Sequence, residues 1–438
     1  MRLRLDIPVL YSAGNSAVQA LSVITITACV AYRLDPLLQG CYYTFLSVIA
    51  LQYLIELGFG QGLLQFVGHE AAHVRLSEEG GIEGDADHVA RLIAIGRFGL
   101  KWYAFAATLT FLFVGLGGQI FFASASNIGM VHWAAPWWAL VAATSANMLT
   151  QPLLLIIEGL NDVAWIYRTR LLANASRLLV ISSLLLGGAG LYSLAAGAAT
   201  QFVVIALLLG QRAPRLLHHV ATQSAANFNW RKEMFRFQLR LAVSWIAGYI
   251  VFSIYNPLLF RQVGPEEAGR FGMTWTIFQG VATLSMVWVT TKTPLFGILI
   301  AKNDRLALDE LWRSLVARSL ATGMVLIGVF IYVLYMFKDW PHISSRLLDM
   351  PESLLIAVAT LANLVVFAEA AYLRAHKCEP FLMLSVGSAL LTVGLLYVLV
   401  RSFGVLGASV VYSFVAVSSA VVGTRVFLNS RGRWRGSS

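Results

Sequence analysis

Charge is scarce in this 438-residue chain: only 12% of its residues are Asp, Glu, Lys or Arg, and 58% are hydrophobic. Soluble domains carry about a quarter charged residues, so a chain this poor in charge cannot cover a globular surface with a polar face. Cysteine is equally sparse. Cys29, Cys41 and Cys378 are scattered with no C-x-x-C pair, so they point to no metal or redox chemistry. There is no G-x-x-x-x-G-K-[ST] loop to cradle the phosphates of ATP. There is also no G-x-S-x-G elbow and no carboxylate pair placed as in a glycosidase. Long polar stretches are missing too, so no soluble domain can hold a core of its own. The net charge of +10 is not a nucleic-acid footprint, because the bases lie between apolar runs rather than along one exposed face.

What the chain does have is apolar runs of about 20 residues, the length needed to cross a bilayer as helix. They fall at 10–31, 41–64, 102–122, 133–157, 168–186, 191–210, 237–260, 271–300, 315–337, 354–372, 381–400 and 404–426. The first follows Met1-Arg2-Leu3-Arg4 but is too long for a signal core and has no A-x-A cleavage site, so it reads as a retained helix. The fold class expected is an all-α polytopic membrane protein of about twelve spanning helices. An even number puts both termini on one side. Arg33, Arg261, Arg270, Lys338, Arg346 and Arg401 are the only Lys or Arg on the other side. Arg177 and Lys292 fall inside helices, and the rest of the 32 bases flank the termini's side, which is therefore cytoplasmic. Two longer inner segments, 68–101 and 211–236, read either as surface helices on an anionic leaflet or as plain connections. The second contains Trp230-Arg231-Lys232.

A weak internal echo divides the chain. Arg33-Leu34-Asp35-Pro36-Leu37-Leu38-Gln39-Gly40 and Arg261-Gln262-Val263-Gly264-Pro265-Glu266-Glu267-Ala268-Gly269 share a Pro-x-x-x-Gly spacing between long helices. Gly190-Leu191-Tyr192-Ser193 opens the sixth run much as Gly404-Val405-Leu406-Gly407 opens the twelfth. Two halves of six helices are expected: 1–210, a linker at 211–236, and 237–438, with a substrate path at the interface of the repeats.

Three constellations could carry chemistry. His69-Glu70-Ala71-Ala72-His73 is a literal H-E-x-x-H, which on a helix sets two imidazoles one turn apart for zinc with the Glu as base. It lies at the inner end of the second run, and the rest of the chain has no protease signature, so an interfacial connection is the simpler reading. No metal and no cofactor are expected. Ionisable groups inside the membrane are costly and tend to be functional. Arg177 lies roughly 13 Å from the inner end of its run and Lys292 roughly 12 Å. Either snorkels to the headgroups or faces a wet lumen, with Glu56 as counter-charge or coupling acid. Glu158 and Glu369 lie near the interface. Finally, Ser12, Asn15, Ser16, Gln19 and Ser22 mark one face of the first helix, and Tyr249, Ser253 and Asn256 one face of the seventh. Such stripes point to protein or water, and helices one, two, seven and eight are expected to line a cavity.

Several stretches resemble the polysaccharide flippases of the multidrug/oligosaccharidyl-lipid/polysaccharide exporter superfamily. They are Glu56-Leu57-Gly58-Phe59-Gly60, Gln65-Phe66-Val67-Gly68-His69-Glu70, Gly81-Ile82-Glu83-Gly84-Asp85, Lys101-Trp102-Tyr103, Glu158-Gly159-Leu160-Asn161, Gln238-Leu239-Arg240-Leu241-Ala242 and Ala268-Gly269-Arg270-Phe271-Gly272. The resemblance implies two six-helix bundles around a central cavity and a bacterial inner-membrane location. It also implies alternating access for an undecaprenyl-diphosphate-linked oligosaccharide, not an enzyme. Arg177 and Lys292 would then meet the diphosphate. Partners would be the lipid bilayer and glycan-assembly enzymes, not nucleic acid, and the protein would be a monomer. Two alternatives stand beside it: a cation-coupled multidrug or toxin exporter, which favours acids in its lumen, and a zinc protease on His69, Glu70 and His73. The mostly basic deep charges favour the flippase.

Overall fold

The computed structural model describes residues 7–436 except 72, 78–80, 126–128, 130, 223–234, 303, 338, 341–343 and 377–380. Cys378 and Trp230-Arg231-Lys232 lie outside the described residues. The chain forms two compact units, one of residues 1–34 and 45–246, the other of residues 35–44 and 247–438.

The first unit holds the first six spans. α1 (Ile7–Arg33) packs along α8 (Val163–Leu186), and α7 (Ala134–Gly159) and α8 both pack on α9 (Tyr192–Arg212). The second apolar run is a helix in three pieces, α2 (Pro36–Ile49), α3 (Gln52–Glu56) and α4 (Phe59–Glu70). The second break is Leu57-Gly58, both residues left-handed at φ +56° and +69°. Leu57 carries a Cβ, so this conformation costs about 1–2 kcal/mol and persists only where neighbours hold it.

Segment 68–101 is neither a surface helix nor a plain loop. β1 (Val74–Leu76) and β2 (Ile82–Gly84) form an antiparallel hairpin, and α5 (Ala86–Leu109) begins sixteen residues before the apolar run at 102. Asp85 caps α5, its carboxylate accepting from the backbone N–H groups of Asp87 and His88. A π turn at Thr110–Val114 then leads into α6 (Gly115–Ala123), where Trp137 Nε1 donates to the Gly115 carbonyl at 3.0 Å. α10 (Leu216–Thr222) is no free linker: Leu216 and Val220 are buried against Ile93 and Leu209 in the unit's core.

In the second unit, α11 (Phe235–Ser253) meets α12 (Tyr255–Gln262) at a bend of 45°. Pro257 lacks the N–H that would bond the Ser253 carbonyl, which is the physical reason for the break. α13 (Pro265–Thr290), α14 (Thr293–Ala301), α15 (Arg305–Met336) and α16 (Met350–Ala375) follow. α17 (Leu382–Gly436) is two spans: Gly404, at φ +54°, reverses the chain, and Ser388 Oγ lies 2.8 Å from Ser419 Oγ across the hairpin. Trp312, Tyr372 and Phe427 stack at the centre of this unit's inner core.

Among the described residues ten helices are long and apolar enough to span a membrane, or eleven with the bent pair. Counting α17 as two brings the number to the expected twelve. The chain is an all-α, multi-pass membrane protein, as its apolar runs require.

The candidate transport-site residues

Acidic side chains inside the two units sort by their partners. Glu70 is buried, with His88 Nδ1 at 2.7 Å and Arg91 Nε at 3.1 Å. Glu158 pairs with Arg170 at 2.6 Å and Asp162 with Arg212 at 2.8 Å. Asp309 is buried, accepts from the Tyr372 hydroxyl at 3.1 Å and pairs with Arg431. These four are structural ion pairs. His73 stacks on His88, not beside His69, with ring centroids 4.1 Å apart. Because Glu70 is engaged by two donors, it is not poised as a base, and no metal-binding group of three ligands forms among the described residues. The H-E-x-x-H segment anchors the hairpin and the start of α5.

Two acids stand within the apolar runs themselves, and neither has an ion-pair partner among the described residues. Glu56 ends α3 at the Leu57-Gly58 break, half-buried, accepting from the Tyr103 hydroxyl at 2.6 Å and from the Gly60 N–H at the start of α4. Phe59 and Trp102 pack beside it with ring centroids 5.1 Å apart. Glu369, on α16, is 1% exposed. Thr424 donates to its Oε1 at 2.7 Å, and its Oε2 has no hydrogen-bond partner. Sequence reasoning passed over Glu369 as interfacial. The signal available was its place in the apolar run 354–372 with Ala368, Ala370 and Ala371 around it and no base nearer than Arg374.

The bases stand elsewhere. No Lys or Arg is fully buried among the described residues, whereas Glu70, Asp309 and Glu369 are. The expectation that deep charge is mostly basic is corrected: depth along a helix does not measure burial, and long basic side chains reach outward. Arg177 is half-buried on α8, its stem beside Gly197, and Tyr53 lies within electrostatic reach of both Arg177 and Glu56. The fold therefore brings Glu56 and Arg177 to one neighbourhood of the first unit. Lys292 is exposed, capping α14 at the break after α13.

The polar stripes divide as well. Asn15 is buried and accepts from Asn174 Nδ2 at 2.9 Å, and Ser16 and Ser22 bond back to their own helix, so much of the α1 stripe is helix packing. Gln19 is exposed. In the second unit Tyr249 and Ser253 are half-buried, and Asn256 is buried with neither end of its amide hydrogen-bonded. Close by in the chain, Phe252 joins Trp275, Phe278, Phe367 and Tyr412 around a narrow cleft that Gln279 and Thr360 also line. Its chief polar feature is the Asn363 amide, which donates to the Tyr412 hydroxyl at 2.8 Å.

No family model matches the sequence. No curated protein matches it either. The fold is nevertheless shared with solved transporters. A multidrug resistance MATE family transporter of the MOP superfamily, in an inward-facing conformation, is 13% identical with a TM-score of 0.73, over 96% of this chain and 98% of that one. The MATE multidrug transporter DinF-BH is 15% identical with a TM-score of 0.63, over 98% and 96%. A MOP superfamily transporter from Pyrococcus furiosus, described as having a binding pocket of reverse polarity, is 17% identical with a TM-score of 0.63, over 98% and 95%. The expected resemblance to polysaccharide flippases is overturned by these likenesses, which are to MATE transporters. The lipid-linked oligosaccharide cargo, its diphosphate contact at Arg177 and Lys292, and the glycan-assembly partners fall with it. The fold is the one these solved transporters share.

Proposed function

We propose that this protein exports small organic compounds by alternating access, driven by a cation that binds and leaves a base-free carboxylate. The carrying observation is Glu56: an acid at a helix break, held by a tyrosine hydroxyl and a backbone N–H, with no base to neutralise it. Breaks in spanning helices expose main-chain groups that serve as ion sites. A carboxylate without a salt bridge is free to exchange a proton or a metal cation as the protein cycles. Glu369 gives the second unit an acid of the same kind. The multidrug character of the solved neighbours supports a small, chemically varied cargo over a glycan.

The test is uptake of a lipophilic cationic dye into inverted membrane vesicles under an imposed pH or sodium gradient. Glu56→Gln is expected to abolish gradient-driven uptake at normal protein level. Wild-type rates in Glu56→Gln, or uptake indifferent to both gradients in the wild type, would overturn this reading.

A further inference from the structure

Two helices change unit part-way along. α2 begins in the second unit: residues 35–44 pack there, while the chain to Leu34 and from Phe45 packs with the first. α11 begins in the first unit, which it leaves after Ile246. Loop charge puts 35–44 at the outer face and the start of α11 at the inner face.

Each segment has a seat built for it. In the outer seat Gln39 is 1% exposed, and its Nε2 donates to the carbonyls of Gly269 at 3.0 Å and Arg346 at 2.9 Å. Arg346 Nη1 donates back to Gln39 Oε1 at 3.3 Å. Beside it the two glycines of the Pro-x-x-x-Gly echo touch: a Cβ on Gly40 would stand 2.0 Å from the Pro265 carbonyl oxygen, and one on Gly269 2.8 Å from Gly40 N. In the inner seat Gln238 Nε2 donates to the Leu57 carbonyl at 2.6 Å. The Trp245 indole covers Gly58, where a Cβ would fall 2.2 Å from Nε1, and it lies 5.9 Å from the Tyr53 ring. Both seats thus use a glutamine amide on a main-chain carbonyl next to a glycine that leaves no room for a side chain.

We propose that these seats are a pair of latches, one at each membrane face, which release in turn as the transporter alternates its access. The inference rests on the alternating-access reading. The helices run unbroken across Thr44–Phe45 and Ile246–Ala247, so in this proposal a movement of either helix draws its end from the seat. Each seat is closed by a glutamine amide on main-chain carbonyls, with the Arg346 guanidinium added in the outer one, and neither holds a buried ion pair. The loss of such a hydrogen bond shifts an equilibrium by only about fivefold. Such weak latches suit a protein that needs two states of similar energy. The left-handed Leu57-Gly58 pair makes the inner seat specific: a regular helix would offer neither the free carbonyl nor the bare Cα.

Cys41, fully buried within the outer seat, is a natural reporter, since a buried thiol is inert until exposed. In a background of Cys29→Ala and Cys378→Ala, the initial rate of Cys41 reaction with a membrane-impermeant maleimide added outside cells is measured. Gln39→Leu is expected to raise that rate about fivefold or more, and Gln238→Leu, by freeing the inner latch, to lower it by a similar factor. No change or a rise with Gln238→Leu would overturn the coupling. A second arm, which does not use Cys41, guards against local misfolding. Gln39 Nε2 and Met273 Sδ are 3.8 Å apart. Gln39→Cys with Met273→Cys, in a background free of other cysteines, is joined by a short methanethiosulfonate cross-linker. Dye export is expected to stop on cross-linking and to return on reduction, and export that continues while cross-linked would refute the latch. If the wild type exports no dye, the labelling arm still reads the latches, so the two readings fail separately.

Discussion

Replacing Gly118 by alanine puts a methyl carbon 2.1 Å from Cζ2 of Trp137, a side chain with no exposed surface and a hydrogen bond to the Gly115 carbonyl. Its neighbour Gly117 has nothing within 4 Å of the same position. Both are helical glycines of α6, so backbone conformation does not distinguish them. For Gly118→Ala the indole must shift, which costs about 1–3 kcal/mol in overpacking and about 1 kcal/mol for the hydrogen bond. Gly117→Ala should be neutral or stabilising by up to about 1 kcal/mol through helix propensity. The contrast between adjacent residues is then about 2–5 kcal/mol. At about 2–4 °C per kcal/mol for units of this size, Gly118→Ala should lower the melting temperature by roughly 4–20 °C relative to Gly117→Ala. The assay is the temperature at which half of the detergent-purified protein is lost from the monodisperse peak in size-exclusion chromatography. Equal melting of the two variants would refute the packing of α6 on α7 and the π turn that sets α6 in register.

Three further outcomes follow from the ion pairs and from burial. Glu70→Gln should keep dye export within twofold and leave zinc well below one per chain by metal analysis, while lowering stability by about 1–2 kcal/mol through its lost charged hydrogen bonds; export lost at unchanged stability would contradict a structural role. Asp309→Asn, which leaves Arg431 little exposed and without its carboxylate, should cost about 3 kcal/mol, and Asp309→Leu with Arg431→Met should recover most of the melting temperature. Burial holds the His376 imidazole below its usual value, so the fold favours the neutral form. That stability is present above about pH 6.5 and is lost as pH falls through the lower folded value; a melting curve against pH should flatten there in His376→Gln.

The spans were legible because lipid demands runs of a fixed length, and the twelve runs recur with only their ends displaced. Those ends moved for one reason. α5 and α15 continue as helix past the hydrocarbon, through 86–101 and 305–314, where charged residues read as loop although Asp85 and Asp304 cap helices there. The Leu57-Gly58 break was not legible, because Leu is the last residue expected at positive φ and only its seat beneath Gln238 and Trp245 holds it. The Pro-x-x-x-Gly echo was legible and physically meaningful: the two prolines start α2 and α13, and the two glycines meet.

Charge misled where length did not. Position along a helix fixes depth, but function depends on what a charged group can exchange, which is settled by its partners. Arg177 and Lys292 drew attention because they are deep, yet long stems let a base remain accessible from depth. A glutamate has no such reach, so an acid inside a bundle must be paired, hydrogen-bonded or left available. Glu158 and Asp162 are carboxylates like Glu56 but pair with Arg170 and Arg212. Setting aside the described acids that pair with a base, and those such as Glu352 that stand near a helix start outside the apolar runs, leaves Glu56 and Glu369, one in each unit. A sequence cannot perform that subtraction, since Arg212 lies fifty residues from Asp162 and Arg431 lies 122 from Asp309. Once it is made, the inventory of available charge changes sign from basic to acidic. An interior offering acids attracts cations, which is the requirement of a cation-coupled exporter and the reverse of what an anionic lipid diphosphate would need.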